Sequence, residues 1–382
     1  MIYLDHAAAT PLDPTILTLM TPYMTEQFYN PSSLYLGGGE TRKALDHARQ
    51  TIARVMGAKA TEIRLTSGGT EANNLAITGV MSGTSGKNIV ISSIEHESVA
   101  RPAEGFAVRK VAVQPDGRVN LDELRSRIDQ DTAMVSIMYA NNEIGTIQPL
   151  KEIAAIIRDK EKEYGTTIIF HTDAAQAGNY LDLHVARLGV DCMTLNSGKV
   201  YGPRAVGCLY VRSGVTIHPI LLGGGQESGA RSGTENVAGA IGFAAALQTA
   251  QQDKDTESRR LHDIRLHSIH ELQQALPQSL INSPKNHCLP NTINLTVPSI
   301  DGEAVVMAMD QQGFQIATGS ACHASNDLPS HVLLAIGRTA EEASASLRIT
   351  MGRQTTVEDM IRFVSTLEEV VTNLSNTGYL VA

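Results

Sequence analysis

The stretch AMVSIMYANNEIGTIQPLKEIAAIIRDKEKEYGTTIIFHTD, residues 133–173, decides the fold. AMVSIMYA is an apolar run of strand length, LKEIAAIIRDKEKEY (150–164) carries apolar positions at helical spacing, and TIIFHT (167–172) is a second strand. A strand, a helix and a strand at this spacing make a right-handed βαβ crossover with parallel strands. The same alternation lies upstream, where EIRLTS (62–67) precedes TEANNLAITGVM (70–81) and KNIVISS (87–93) precedes HESVARPAE (96–104). From about residue 60 to 215 the chain therefore reads as α/β with a mostly parallel sheet. After residue 250 the texture changes: a long polar helical stretch (249–276) is followed by INLTVP, a helix near EAVVMAMDQQG, the strand SLRITMG and a terminal helix. We expect a large α/β domain over 12–250, and a smaller α+β domain formed by 1–11 and 251–382. At 382 residues the chain is long for a single core, and it contains no internal repeat.

Composition narrows the function. A formal net charge of −9 with no Lys/Arg cluster argues against a nucleic-acid surface. The opening MIYLDHAAATP lacks the charged and apolar regions of a secretory signal, and the apolar run AGAIGFAAAL (238–247) is too short to span a bilayer, so a cytoplasmic protein is expected. Cys192, Cys208, Cys288 and Cys322 are widely spaced with no CxxC pair, which argues against a disulfide framework and a zinc site. Cys192 and Cys208 lie in apolar segments and read as core, whereas Cys288 in NHCLPN is open.

In an open parallel sheet, ligands bind beyond the carboxyl ends of the strands, so the residues after each strand matter most. TSGGTEAN (66–73) places glycines before a helix start with Thr70 in its first turn, a candidate anion cradle. Asp173 sits just past a buried strand, with Gln176 three residues on. Lys199, in TLNSGKVYGP, ends another strand among small residues, where a lysine can lose its proton and form a Schiff base. Cradle, carboxylate and pocket lysine together match what pyridoxal phosphate requires. His96 after NIVISS supplies an imidazole able to stack on the ring and move protons. Arg348 in SLRITMGR would clamp a carboxylate, and GGGQESGARSGTEN (223–236) ends in a second candidate anion nest. A thiol at Cys322 in TGSACHAS (318–325) sits amid small polar residues instead of apolar ones, which opens exposure and chemistry beside the usual buried role, and His323 next to it either activates the thiol or faces solvent.

These residues resemble the cysteine desulfurases of the class V aminotransferase family. YLDHAAATP (3–11), NPSS (30–33), TSGGTEANN (66–74), EHES (95–98), NNEIG (141–145), DAAQ (173–176), SGKVYGP (197–203), RSGTEN (231–236), GSAC (319–322) and LRITMGR (347–353) fall in the family's order across nearly the whole chain. The resemblance implies the α/β fold type I of pyridoxal phosphate enzymes and a homodimer. It implies Lys199 as the Schiff-base lysine, Asp173 at the pyridine nitrogen, Gln176 at the ring oxygen and His96 over the ring. The phosphate would be held by Thr70 and the Gly69 backbone, with Asn196 or Ser197 substituting for absent family residues and Thr234 reaching in from the partner subunit. Arg348 and Asn141 would bind the substrate carboxylate, with Asn30 nearby. Cys322 would take sulfur from L-cysteine as a persulfide, release L-alanine, and hand the sulfur to an iron–sulfur scaffold or a tRNA-thiolation enzyme. Pro329 follows Cys322 by seven positions, as in the family's extended-loop subgroup.

Two departures stand out. The family's histidine immediately before the lysine is Gly198 here, and its serine three before is Asn196; the histidine after NPSS is replaced by Tyr35. Two other readings remain open at this stage. One is another class V enzyme, such as a selenocysteine lyase; the other is a weakly catalytic partner-binding homologue with an eroded phosphate site.

Overall fold

Strand-forming runs and helices alternate through the first two thirds of the chain, and the computed structural model describes residues 1–84, 87–319 and 328–377. The strands in chain order are β1 (Ile2–Tyr3), β2 (Ile63–Thr66), β3 (Asn88–Ser92), β4 (Ala107–Val111), β5 (Thr132–Ser136), β6 (Ile169–Asp173), β7 (Cys192–Asn196) and β8 (Gly207–Val211). They continue with β9 (Leu280–Ile281), β10 (Thr292–Thr296), β11 (Phe314–Gln315), β12 (Ala317–Thr318) and β13 (Ser346–Thr350). Seven of them form a sheet ordered β2-β8-β7-β6-β5-β3-β4. Only β8 runs against its neighbours, so the sheet is mostly parallel.

Both faces of this sheet are covered, as a parallel sheet requires. Val90, Met193 and Cys208 turn to one face, while Ile89, Ile91, Cys192 and Leu209 turn to the other, the two-residue alternation of a strand. Helices Leu36–Met56 and Leu150–Tyr164 cover the first face through Leu45, Ile52, Ile153 and Ile157. Helix Gly69–Met81 covers the second through Ala72, Leu75 and Ala76. Each fully buried Ile or Leu contributes roughly 1.5–3 kcal/mol. Cys192 and Cys208 are fully buried in these layers, and burial pushes both thiols well above their ordinary range.

A second core lies against the antiparallel sheet β12-β13-β10-β9. Its residues include Leu295, Leu347, Met309 and an edge-to-face pair, Phe314 and Phe363, with ring centroids 5.7 Å apart. Helix Val237–Ala275, 39 residues long, runs through both cores: Phe243 and Leu247 pack in the first, Leu261, Ile264 and Leu272 in the second. The expected boundary at residue 250 falls inside this helix. The amino-terminal segment also joins the two units. β1 pairs with β11, whereas Thr10 bonds through its N–H and hydroxyl to the carbonyl of Gly198.

Among the described residues, no helix is long and apolar enough to cross a membrane.

Candidate active site

The carboxyl ends of β3, β5, β6 and β7 open into a cavity of about 330 Å³ closed from the other side by β13 and the helix His331–Ala335. Lys199, Asp173, Gln176, His96, Gly69, Thr70, Asn196 and Arg348 all line it.

The cradle is built by two glycines that nothing else replaces. Gly68 takes φ 143°, a conformation that L side chains rarely adopt, and it caps helix Gly69–Met81 with no side-chain bond to the first turn. Gly207 passes so close that a Cβ would lie 2.7 Å from the Gly68 carbonyl carbon and from Leu195 O. The helix start thus offers its amide donors and positive dipole end to the cavity. Asn196 overhangs it: the position of a Cβ on Gly69 is 3.5 Å from Asn196 Nδ2.

Asp173 ends β6 and is buried. Its Oδ1 accepts from Ala175 N at 2.9 Å and its Oδ2 from Asn73 Nδ2 at 2.7 Å. Lys199 Nζ donates to the carbonyls of Ala7 and Ala8, each at 2.6 Å, and Gln176 Nε2 donates to Ala7 O at 3.0 Å. Arg348, central in β13, is 3% exposed. Its two terminal nitrogens donate to Asp5 Oδ1 at 2.8 Å and Asn142 O at 3.3 Å, while its buried Nε has no hydrogen-bond partner among the described residues.

Two acids in the wall escape sequence reasoning. Glu95, three residues beyond the end of β3, is fully buried, and burial pushes its carboxyl up to about 8, the Asp173 charge adding to the effect. Its Oε1 accepts from the Ser92 hydroxyl at 2.6 Å and from Met138 N at 2.9 Å. Glu143, in the turn after β5, is pushed up to about 7 by burial, against the opposing effects of the Ser330 hydroxyl, Arg348 and His96. Ser330 Oγ donates to Glu143 Oε2 at 2.5 Å and, as N-cap, accepts from Leu333 N. Charged residues are rarely buried, so composition gives no hint of these two; the one available signal is their place at strand ends.

A lysine, a carboxylate, an imidazole and a guanidinium thus converge beyond parallel strand ends, and the family described as aminotransferase class-V matches residues 2–363. The chain belongs to the aminotransferase class-V family. Members similar to it include the cysteine desulfurase IscS of Dictyoglomus turgidum, 43% identical over 98% of this chain and 95% of the relative. The cysteine desulfurase IscS 1 of Archaeoglobus fulgidus is 40% identical over 100% of this chain and 99% of its own length. Among solved structures, a NifS-like protein superposes with a TM-score of 0.91 at 33% identity, covering 98% of this chain and 100% of the other. A structure described as SspA in complex with cysteine gives 0.77 at 32% identity, over 92% and 99% of the two chains. The expected α/β architecture of this family, a mostly parallel sheet with a smaller α+β unit, agrees with these likenesses.

Not every expected class V position faces the cavity of this chain. Asn141 is fully buried and its carboxamide is spent within the turn: Oδ1 accepts from Glu143 N and Ile144 N, and Nδ2 donates to Ile94 O. Its neighbours Asn142 and Glu143 line the cavity instead. Ser197 is buried behind the wall with its hydroxyl against Gly202. Asn30 and Thr234 are exposed and outside the cavity lining; Asn30 Oδ1 accepts from Ser32 N. Cys322 and His323 lie outside the described residues.

Proposed function

We propose that this chain is a pyridoxal 5′-phosphate-dependent cysteine desulfurase. It converts L-cysteine to L-alanine, and the sulfur passes to the Cys322 thiolate as a persulfide and then to an acceptor protein of iron–sulfur cluster assembly or tRNA thiolation. The observation that carries this reading is the gathering of Lys199, Asp173, His96 and Arg348 in one cavity of a chain 43% identical to a named cysteine desulfurase.

The residues present fit the cofactor. The helix start at Gly69 and Thr70, uncapped by any side chain, suits a phosphate, and the Asn196 carboxamide above it adds a donor where the family has serine. Gly198 adds none. Asp173, held by Asn73 and the Ala175 amide, would hold a protonated ring nitrogen, and Gln176 and His96, which line the same cavity, would hold the ring oxygen and the ring. Lys199 suits the Schiff-base position. When bound, pyridoxal phosphate supplies the electron sink that lets bonds at the α-carbon of the amino acid break.

The chain's own groups do the rest. Asp5 and the Asn142 carbonyl fix the Arg348 guanidinium before substrate arrives, and its remaining N–H donors meet the substrate carboxylate. Asn141 contributes by holding the turn that presents Asn142 and Glu143. Lys199 Nζ takes the α-proton, and His96 is the second proton carrier. Ser197 supports the lysine turn from behind.

We further propose a cytoplasmic homodimer with shared sites, in which Thr234 completes the partner subunit's phosphate grip. Its exposure outside this chain's cavity supports that, as does the apolar surface of Phe28, Leu34 and Leu36, which are 67, 104 and 90% exposed. The division into 12–250 as the cofactor unit and 1–11 with 251–382 as the smaller unit belongs to the same proposal. Incubation with pyridoxal phosphate, L-cysteine and a reductant tests the activity. Alanine and sulfide in equal amounts are expected; bound cofactor without alanine would contradict it.

A further inference from the structure

A chain of hydrogen bonds runs along the cavity wall from Asp173 to His96. Asn73 Nδ2 donates to Asp173 Oδ2 at 2.7 Å and to Ser98 Oγ at 2.8 Å. Ser98 Oγ lies 2.7 Å from His96 Nδ1, and the Ser98 backbone N–H donates to the same nitrogen at 3.1 Å. Asn73, Ser98 and Asp173 are all buried.

The polarity of this chain is fixed by elementary chemistry. A backbone N–H only donates, so His96 Nδ1 accepts and carries no proton. The Ser98 hydroxyl, receiving a hydrogen bond from Asn73, then has its own proton available for Nδ1. Asn73 cannot be reversed, because its carbonyl oxygen would then face the acceptor-only carboxylate of Asp173 at 2.7 Å. Asn73 donates in both directions, to Asp173 on one side and through Ser98 toward His96 on the other, and the single proton of a neutral His96 is left on Nε2.

We infer that Asn73 and Ser98 are positioning residues that lock neutral His96 in its Nε2–H tautomer, so that the imidazole presents a hydrogen-bond donor to the cavity. The catalytic part of this inference rests on the desulfurase reading; the tautomer does not. The arrangement also ties the orientation of the imidazole to the carboxylate that suits the ring nitrogen, since one amide group serves both. Two donors on Nδ1 hold the ring neutral, so losing one makes the ring easier to protonate. Among the described residues, the other charged or titratable groups around this site are Glu95, Glu97, Asp173, Glu143, Lys199, His331 and Arg348. All remain when Ser98 alone is changed.

The test is nitrogen–proton correlation NMR of the cofactor-loaded full chain with 15N-labelled histidine, the His96 signals being assigned by their loss in His96→Gln. Wild type is expected to show a bare Nδ1 and a protonated Nε2 at neutral pH. In Ser98→Ala the midpoint of the His96 titration is expected to rise by about half to one pH unit, the equivalent of one net hydrogen bond, and to return in Ser98→Thr. A protonated Nδ1 in the wild type would overturn the inference, and so would a midpoint that does not move in Ser98→Ala. Absence of alanine formation alongside the expected tautomer would count against the desulfurase reading alone.

Discussion

Replacing Glu143 by Gln should make the stability difference between variant and wild type depend strongly on pH. The Glu143 carboxyl is 3% exposed and titrates at about 7 instead of its ordinary 4.5, chiefly because burial penalises the charged form. Below pH 4.5 the acid is protonated in folded and unfolded chains alike, and folding costs nothing on its account. Between 4.5 and about 7 the unfolded chain releases the proton while the folded one keeps it, so wild-type stability falls as pH rises. The raised value corresponds to about 3 kcal/mol, fully expressed above pH 7. Glutamine does not titrate, and its carbonyl oxygen retains the bond from Ser330 Oγ. The assay is denaturant unfolding of both cofactor-loaded proteins at pH 5 and pH 8, read as the difference between variant and wild type at each pH. Glu95 has the same raised tendency in both proteins and cancels. We expect the difference to move in favour of Glu143→Gln by roughly 2–3 kcal/mol between the two pH values. Differences that agree at the two pH values would refute the assignment of Glu143 as a buried acid held neutral by its surroundings.

Other outcomes follow from the same geometry. Lys199→Ala should lose the visible absorption band that borohydride alters in the wild type; an unchanged band would remove Lys199 from the Schiff-base position. Arg348→Ala should raise the KM for L-cysteine about 100-fold, the loss of two charge-assisted hydrogen bonds, with little change in cofactor absorbance. Equal losses of cofactor and substrate binding would make Arg348 a structural support paired to Asp5. Gly207→Ala should destabilise by about 1–3 kcal/mol and weaken cofactor retention, because the added Cβ meets backbone of Gly68 and Leu195 that has no flexible end to move aside. Wild-type melting temperature and cofactor affinity in this variant would contradict the close approach.

Elements with a strong local signal were legible from sequence. Helix Leu150–Tyr164 coincides with its apolar pattern because Gly165 ends it in the left-handed conformation, φ 65°. Asp173 at the end of β6 was legible because a charged residue after a buried apolar run has few structural reasons to be there, whereas Lys199, read as ending a strand, lies on a 3-10 turn (Ser197–Lys199) three residues past β7, because Asn196 caps that turn through Gly198 N. The texture change near residue 250 marks a helix passing from one core to the other, without a break in the backbone, and composition records only the change of surroundings. Side-chain direction was less accessible: Asn141 and Ser197 are adjacent to cavity residues, yet turn and wall geometry direct their polar atoms elsewhere. The link between Asn73, Ser98 and Asp173 joins positions 25 and 100 residues apart, a contact that only the folded sheet creates.

The most direct test of the central claim is the intact mass of the cofactor-loaded protein after brief exposure to L-cysteine without reductant, beside Cys322→Ala, with alanine measured in both. The desulfurase account predicts a gain of one sulfur atom on the wild type, reversed by a thiol reductant, and neither sulfur gain nor alanine from Cys322→Ala. Alanine formed equally by both proteins, or cofactor bound in both with no alanine from either, would contradict it.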